Sequence, residues 1–290
     1  MAKRGIGMWD CAIIGAGAAG LSAALTLKSL NKNFIWFGDK RFSEKIRKAE
    51  LIRNYPGLPS LSGEELASAF IKHTAEMQIE ITEKTVTGVY ALGTHFVIAC
   101  NQETFEAKTV ILATGVEAIK PIAGELEFLG RGVSYCATCD GFLYKNKTIA
   151  VVCLSKEFEH EAAYLAEIAQ KVYLVPLYKD VQLTAENMEI VRGMPTAVAG
   201  EKKASVLRFK DRDLDVDGIF FLKSAITPSA LVPGLETENG HVKVNRDCAT
   251  NLQGLFAAGD CTGKPYQYVK AAGEGNVAAH AVMAYLATQK

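Results

Sequence analysis

The stretch Asp10-Cys11-Ala12-Ile13-Ile14-Gly15-Ala16-Gly17-Ala18-Ala19-Gly20 runs from an apolar segment through a glycine-spaced turn into a helix-forming segment. Asp10 to Ile14 reads as a buried strand, Ala18 to Leu30 as a helix, and Asn33 to Phe37 as the next strand. Gly15 permits the tight turn, Gly17 lets the backbone approach a pyrophosphate, and Gly20 allows close helix–strand packing. The helix N-terminus, opening at Ala18 and Ala19, is then aimed at the phosphates. A glycine-rich packing turn has the same spacing. The strand, the helix, the second strand and Asp39, nineteen residues after Gly20, all agree with dinucleotide binding instead. Asp39 is the candidate for a ribose hydroxyl, although an acid after a strand is often only solvated.

Around this unit the chain extends to 290 residues, a length that predicts two domains. With 49% hydrophobic and 22% charged residues, it is neither disordered nor fibrous. A net charge of +0 and the absence of a polybasic tail argue against nucleic acid and against anionic lipid. The uncharged stretch Cys11 to Leu27 is 17 residues and contains three glycines, short of the roughly 20 apolar residues of a membrane span. It also imitates a signal peptide after Lys3 and Arg4, but the dinucleotide turn explains its glycines better. A soluble, cytoplasmic protein is expected.

Further strand and helix patterns follow. Ser62-Gly-Glu-Glu65 is a capping box, and the helix it opens carries Leu66, Phe70, Thr74 and Met77 on one side. Strand-like runs cover Val86–Leu92, His95–Cys100 and Thr109–Leu112. A second strand–helix–strand unit spans Thr148–Val152, a helix near Phe158–Ala169, and Val172–Val175. Gly254 to Asp260 reads as a strand entering a turn, and the last helix runs from Tyr268 to Leu286. Two such units predict an α/β protein with two nucleotide-domain-like modules.

Seven cysteines are present, and only Cys136 and Cys139 form a close pair. In a reducing compartment such a pair is redox-catalytic or metal-binding before it is structural. Zinc needs a second ligand pair of comparable spacing, and the sequence has none, so no metal is expected. In Ser134-Tyr-Cys136-Ala-Thr-Cys139-Asp140-Gly-Phe142, two intervening residues let the thiols join or separate with little backbone change. A position near a helix N-terminus would favour the Cys139 thiolate.

Ala113-Thr114-Gly115 and Ala257-Ala-Gly259-Asp260 each close a strand. Together with the N-terminal turn they resemble the pyridine nucleotide-disulfide oxidoreductase superfamily, in which the Gly-Asp turn meets the ribityl chain of FAD. The CATCD pair, Asn54-Tyr-Pro-Gly57, ATG and AAGD, in that family's order along nearly the whole chain, resemble low-molecular-weight thioredoxin reductases. The resemblance implies two Rossmann-like, three-layer domains. An FAD domain would be formed by 1–117 and 229–290, and an inserted domain, 118–228, would carry the disulfide. It further implies a homodimer, Cys139 facing the flavin, Cys136 attacking thioredoxin, and Asp140 managing the thiol proton. Asn54, Thr114, Gly115, Gly259, Asp260 and Gln267 match positions beside FAD, as does the helix start Ala271-Ala-Gly273. Lys45 falls in the loop flanking FAD, where this chain departs from the usual glycine- and glutamine-containing sequence.

The second module departs further. Its expected NADPH turn reads Cys153-Leu-Ser-Lys-Glu-Phe158, with Cys153, Ser155 and Phe158 at the three glycine positions. Phe158 is expected to obstruct close packing, and Glu157, Glu159 and Glu161 to repel a pyrophosphate. Val175-Pro-Leu-Tyr178 lacks the family's arginines, and Lys179 is the only cation nearby in sequence. This pattern resembles ferredoxin-dependent flavin thioredoxin reductases. It implies ferredoxin as donor and a basic docking patch, for which Lys40, Arg41, Lys45, Arg47, Lys48 and Arg53 are candidates against Asp39, Glu44 and Glu50. A solvated loop covering FAD explains the same charges. An NADPH-dependent reductase with an atypical site, a flavin-binding redox sensor, and a flavin enzyme for another disulfide stay open.

Overall fold

The computed structural model describes residues 8–289 apart from 48, 101–102, 117–120 and 224–226. The chain divides into two compact units, residues 1–116 with 231–290, and residues 117–230. The first domain boundary expected from sequence, 117/118, lies outside the described residues.

In the first unit the apolar run forms the strand Trp9–Ile14, with its last four residues buried. It lies parallel between Phe34–Phe37 and Glu103–Leu112. The other edge of Glu103–Leu112 serves two partners. Its first half pairs antiparallel with Phe96–Cys100, and its end pairs parallel with Leu255–Ala257. Gly88–Ala91 completes the meander. The sequence shows only the apolar tail of this ten-residue strand. Its first six residues carry Glu103, Glu106 and Lys108 on a half-exposed sheet, where charges outside the core cost little.

The helices Ala18–Ser29 and Tyr268–Thr288 bury small side chains, among them Ala19, Ala23, Ala278 and Ala279. A Cβ on Gly275 would stand 2.1 Å from the Ala19 carbonyl oxygen, so only glycine lets the two helices approach this closely. Gly275→Val should therefore cost about 1–3 kcal/mol through overpacking. Thermal unfolding checks this, and the same variant should purify with less flavin absorbance, because Ala19 also belongs to the N-terminal turn. The capping box is present. Ser62 Oγ accepts from the Glu65 amide at 3.2 Å, the Ser62 amide donates to Glu65 Oε2 at 2.6 Å, and Leu66, Phe70 and Thr74 on Gly63–Glu76 are buried.

The second unit has an all-parallel sheet in the order Val133–Ser134, Gly218–Leu222, Thr148–Cys153, Lys171–Pro176, Met188–Ile190. A separate antiparallel sheet joins Ala197–Gly200, Ala204–Arg208 and Asp213–Asp215. The helix Glu159–Ile168 buries Ala162, Leu165 and Ala166. Both units are thus α/β and Rossmann-like, each built on parallel strands, with an antiparallel meander added to the first sheet and a separate antiparallel sheet in the second unit. Among the described residues no helix is long and apolar enough to cross a membrane.

Candidate functional site

In the first unit, Gly15 has φ +115°, and a Cβ there would meet the Ala113 carbonyl oxygen at 2.2 Å. The Gly15 carbonyl in turn accepts from Trp36 Nε1 at 3.0 Å and leaves no room for a side chain on Gly20. At Gly17 the space is open. No side chain caps the helix that begins at Ala18 and Ala19, and no acid lies in its first turn. Its N–H groups and the positive end of its dipole remain available to an anion. Nearby in the fold, Thr114 Oγ1 is buried without a hydrogen-bond partner, and Gly115 adopts φ +70° beside open space. Uncapped amides, an orphaned hydroxyl and glycine clearances fit an extended dinucleotide such as FAD.

The strand Leu255–Ala257 delivers the turn at Gly259, which has φ +90°. Two residues that the sequence reading missed hold it from the last helix. Glu274 Oε2 accepts the Gly259 amide at 2.8 Å, and Lys270 Nζ donates to the carbonyls of Gly259 and Gly263 at 2.8 and 2.9 Å. Their i,i+4 spacing just after AAGD was the available signal.

Four candidates distant in sequence meet here. Lys45 is ion-paired to Asp260, and Asn54 Nδ2 donates to Gln267 Oε1. Tyr268 donates its hydroxyl to the Lys45 carbonyl at 3.3 Å, and Lys45 Nζ lies 5.1 Å from the centre of the Tyr266 ring. Asp39 turns back on its own loop, with Oδ1 accepting the Arg41 amide at 2.7 Å and Oδ2 accepting Arg41 Nη2 at 3.3 Å. Lys40 pairs with Glu83 at 3.1 Å and Arg47 with Glu64 at 3.9 Å. Lys40, Arg41, Lys45 and Arg47 thus each face a carboxylate, and the basic run expected from sequence is largely neutralised where it stands. Lys48 lies outside the described residues.

In the second unit Cys136 and Cys139 form a disulfide. Ala137–Asp140 is a single helical turn with Cys136 as its N-cap, and Cys136 Sγ accepts the Cys139 amide at 3.1 Å. Cys136 caps this turn and Cys139 lies within it, so both sulfurs stand at its amino end. Cys136 is the less accessible residue: it is 5% exposed, whereas Cys139 is half-buried. Ser134, which the sequence reading also missed, donates to Asp140 Oδ2 at 2.6 Å and accepts from the Cys136 amide at 3.0 Å. Just beyond, Phe142 and Leu143 are 65% and 52% exposed.

The nucleotide-type turn of this unit is filled by the chain itself. Phe158 does not obstruct packing. A 3-10 turn, Lys156–Phe158, swings it into the core, and the α-helix begins one residue later at Glu159. Cys153 is buried, which pushes its thiol up to about 11. Glu159 Oε1 accepts the Tyr178 hydroxyl at 2.8 Å and the Gln182 amide at 3.1 Å. Against a desolvation cost, these donors hold the Glu159 carboxyl below its ordinary range. Lys179 is not the only cation near this loop, because Arg192 Nη1 donates to the Tyr178 carbonyl at 3.3 Å. Where the central strands end, Val152, Leu154, Leu177, Phe221 and the buried pair Glu125–Lys223 (2.8 Å) leave a cavity of about 20 Å³. That is room for one water. Among the described residues no group of three or more His, Cys, Asp or Glu could hold a metal ion.

Residues 9–275 match the model of the pyridine nucleotide-disulphide oxidoreductase family. The thioredoxin reductase of Helicobacter pylori is 35% identical over 96% of this chain and 99% of its own, and that of Treponema pallidum is 33% identical over 97% and 98%. Among solved structures, a ferredoxin-flavin thioredoxin reductase from Clostridium acetobutylicum is 49% identical. It covers 97% of this chain and 99% of that one with a TM-score of 0.89. A second structure described in the same words is 44% identical, with a TM-score of 0.87 over 98% and 99%. Similarity of this extent, on top of a turn that fits a dinucleotide, places the chain in the pyridine nucleotide-disulphide oxidoreductase family, on its thioredoxin reductase branch, with FAD as its cofactor.

Proposed function

We propose that this chain reduces the disulfide of thioredoxin with electrons taken from reduced ferredoxin. The closed nucleotide-type turn of the second unit carries the choice of donor. Ser155 stands where a glycine would let the backbone approach a pyrophosphate, Phe158 is packed into the core at the position of the packing glycine, and Glu159, held by Tyr178 and Gln182, adds negative charge at the helix start. Arg192 is one guanidinium already bonded to a carbonyl and Lys179 is a lysine, so the pair of arginines that grips a 2′-phosphate bidentately is replaced by a lesser set. Similarity to the two ferredoxin-flavin thioredoxin reductase structures supports the same donor.

The turn at Gly15–Gly20, Thr114, Gly115, Asp260 and the facing pairs from Lys45 and Asn54 would hold FAD. FAD supplies a carrier that takes electrons singly and gives them up as a pair. An electron pair breaks the Cys136–Cys139 bond, and two protons are needed to store both sulfurs as thiols. Asp140 gives and takes the proton at Cys136. The Cys136 thiolate attacks the thioredoxin disulfide, forming a mixed disulfide and expelling one thioredoxin thiolate. Cys139 then attacks Cys136, the original disulfide re-forms, and the second thiolate leaves. Accepting the Cys139 amide favours charge on Cys136, and the exposed Phe142 and Leu143 offer apolar surface beside the pair to a docking protein. Five further cysteines, all buried and unpaired, suit the reducing cytoplasm.

Anaerobic titration of one preparation with NADPH, NADH and reduced ferredoxin tests the donor. Flavin bleaching by ferredoxin alone is the expected result. Rapid bleaching by NADPH with ferredoxin inert overturns it and restores the nucleotide-dependent reading.

A further inference from the structure

Ser134 is 4% exposed at the end of the short strand Val133–Ser134, and its hydroxyl stands among three polar groups of the redox turn. Asp140 Oδ2 is 2.6 Å away, the Cys136 amide nitrogen 3.0 Å, and the Cys136 carbonyl oxygen 3.2 Å. A hydroxyl has one proton to donate and two lone pairs to accept with. With Asp140 ionised, the serine proton goes to the carboxylate and one lone pair takes the Cys136 amide. With Asp140 protonated, the acid donates to the second lone pair and the serine proton turns to the Cys136 carbonyl. No partner moves between the two arrangements, and neither leaves the serine or the acid unpaired.

We infer that Ser134 is the positioning residue of the redox turn: it keeps Asp140 hydrogen-bonded in both protonation states while fixing the backbone of Cys136. This rests on the reading of Asp140 as the group that manages the thiol proton. An acid that must cycle between charged and neutral forms in a partly buried site loses a bond in one of them if its partner is a pure donor or a pure acceptor. The serine removes that asymmetry.

Other groups also face the turn. Glu161, on the helix Glu159–Ile168, accepts the Ala137 amide, and burial raises its carboxyl while His160 and that amide oppose the rise. Tyr144 follows the turn, raised by burial first and by Asp140 and Asp217 second, with Lys147 5.6 Å from its ring centre. Tyr164 packs against Gly141. Tyr135, between Ser134 and Cys136, donates to Glu125 and has Lys223 over its ring. None of these is altered by exchanging Ser134, so a change in pH response reports on the serine and its partners.

The test uses the full-length, flavin-loaded protein, reduced with dithiothreitol and freed of it without air. The rate of alkylation of Cys136 and Cys139 by iodoacetamide is followed from pH 5 to 9 by mass spectrometry. In Ser134→Ala the acidic limb of the profile should move up by about one pH unit, because the bond lost to the ionised acid is worth more than the bond lost to the neutral one and only that difference shifts the limb. Ser134→Thr should restore the wild-type profile. Ser134→Cys, nearly isosteric and a weak donor, should fall between them and serves if the alanine variant does not fold. An unchanged profile in Ser134→Ala or Ser134→Cys, with Asp140→Asn moving the limb, overturns the inference and leaves the role of Asp140 standing. An unchanged profile in Asp140→Asn overturns both.

Discussion

Cys139→Ser yields a flavin-loaded protein in which thioredoxin reduction falls by more than about a thousandfold, because no disulfide remains to receive the electron pair. A serine hydroxyl neither forms the bond to Cys136 nor leaves as a stable anion, while the FAD turn lies in a different part of the chain and is untouched. Cys136→Ser should be equally inactive, but for another reason: its Cys139 thiol is intact and lacks the partner that attacks thioredoxin. The two sulfurs are distinguished by features that pull in opposite directions. Cys136 Sγ accepts an amide, whereas Cys139 is the more accessible residue. Incubating each reduced variant with thioredoxin whose resolving cysteine is replaced and whose remaining cysteine carries a thionitrobenzoate disulfide separates them, because attack on that disulfide expels thionitrobenzoate and leaves the mixed disulfide. A mixed disulfide trapped through Cys136 in the Cys139→Ser protein is expected. Trapping through Cys139 in the Cys136→Ser protein, or substantial turnover by that protein, reverses the assignment.

Restoring the glycines of the second unit should not create an NADPH-dependent enzyme. Phe158→Gly removes a side chain from the core of that unit, alongside Ala162, Leu165 and Leu222. Emptying a buried phenylalanine site costs about 3–5 kcal/mol, a large share of the roughly 5–15 kcal/mol that typically holds a domain folded. Ser155→Gly and Phe158→Gly together should therefore lower the unfolding midpoint markedly. They leave Glu159 bonded to Tyr178 and Gln182, and they add no second arginine beside Arg192. Flavin bleaching by NADPH in stopped flow should stay at the wild-type level. A stable double variant that NADPH bleaches rapidly would show that the glycine positions alone had barred the nucleotide.

Features built from neighbours in sequence are legible in the amino-acid sequence alone. The strand–turn–helix at Trp9–Ser29, the capping box at Ser62 and Glu65, and the spacing of Cys136 and Cys139 each depend on residues within a few positions of one another. Local hydrogen bonds and side-chain periodicity are short-range, so they are written directly in the order of residues. The same locality misled at one point. It treated Phe158 as an obstruction, since a large residue at a glycine position looks wrong until the core that receives it is known.

The sequence by itself determined an α/β chain with an FAD-type turn, a redox pair with an adjacent acid, and a second nucleotide-type turn stripped of its glycines. Tertiary structure alone decided which distant residues complete these sites. Lys45 meets Asp260, Asn54 meets Gln267, Glu125 meets Lys223, and Arg192 reaches the Tyr178 carbonyl. Each partner lies on a different element, and only the packing of those elements against their sheets brings the two together. A run of cations reads as a charged patch in one dimension. In three it becomes a set of ion pairs, because the acids that neutralise Lys40, Lys45 and Arg47 arrive from elsewhere in the fold.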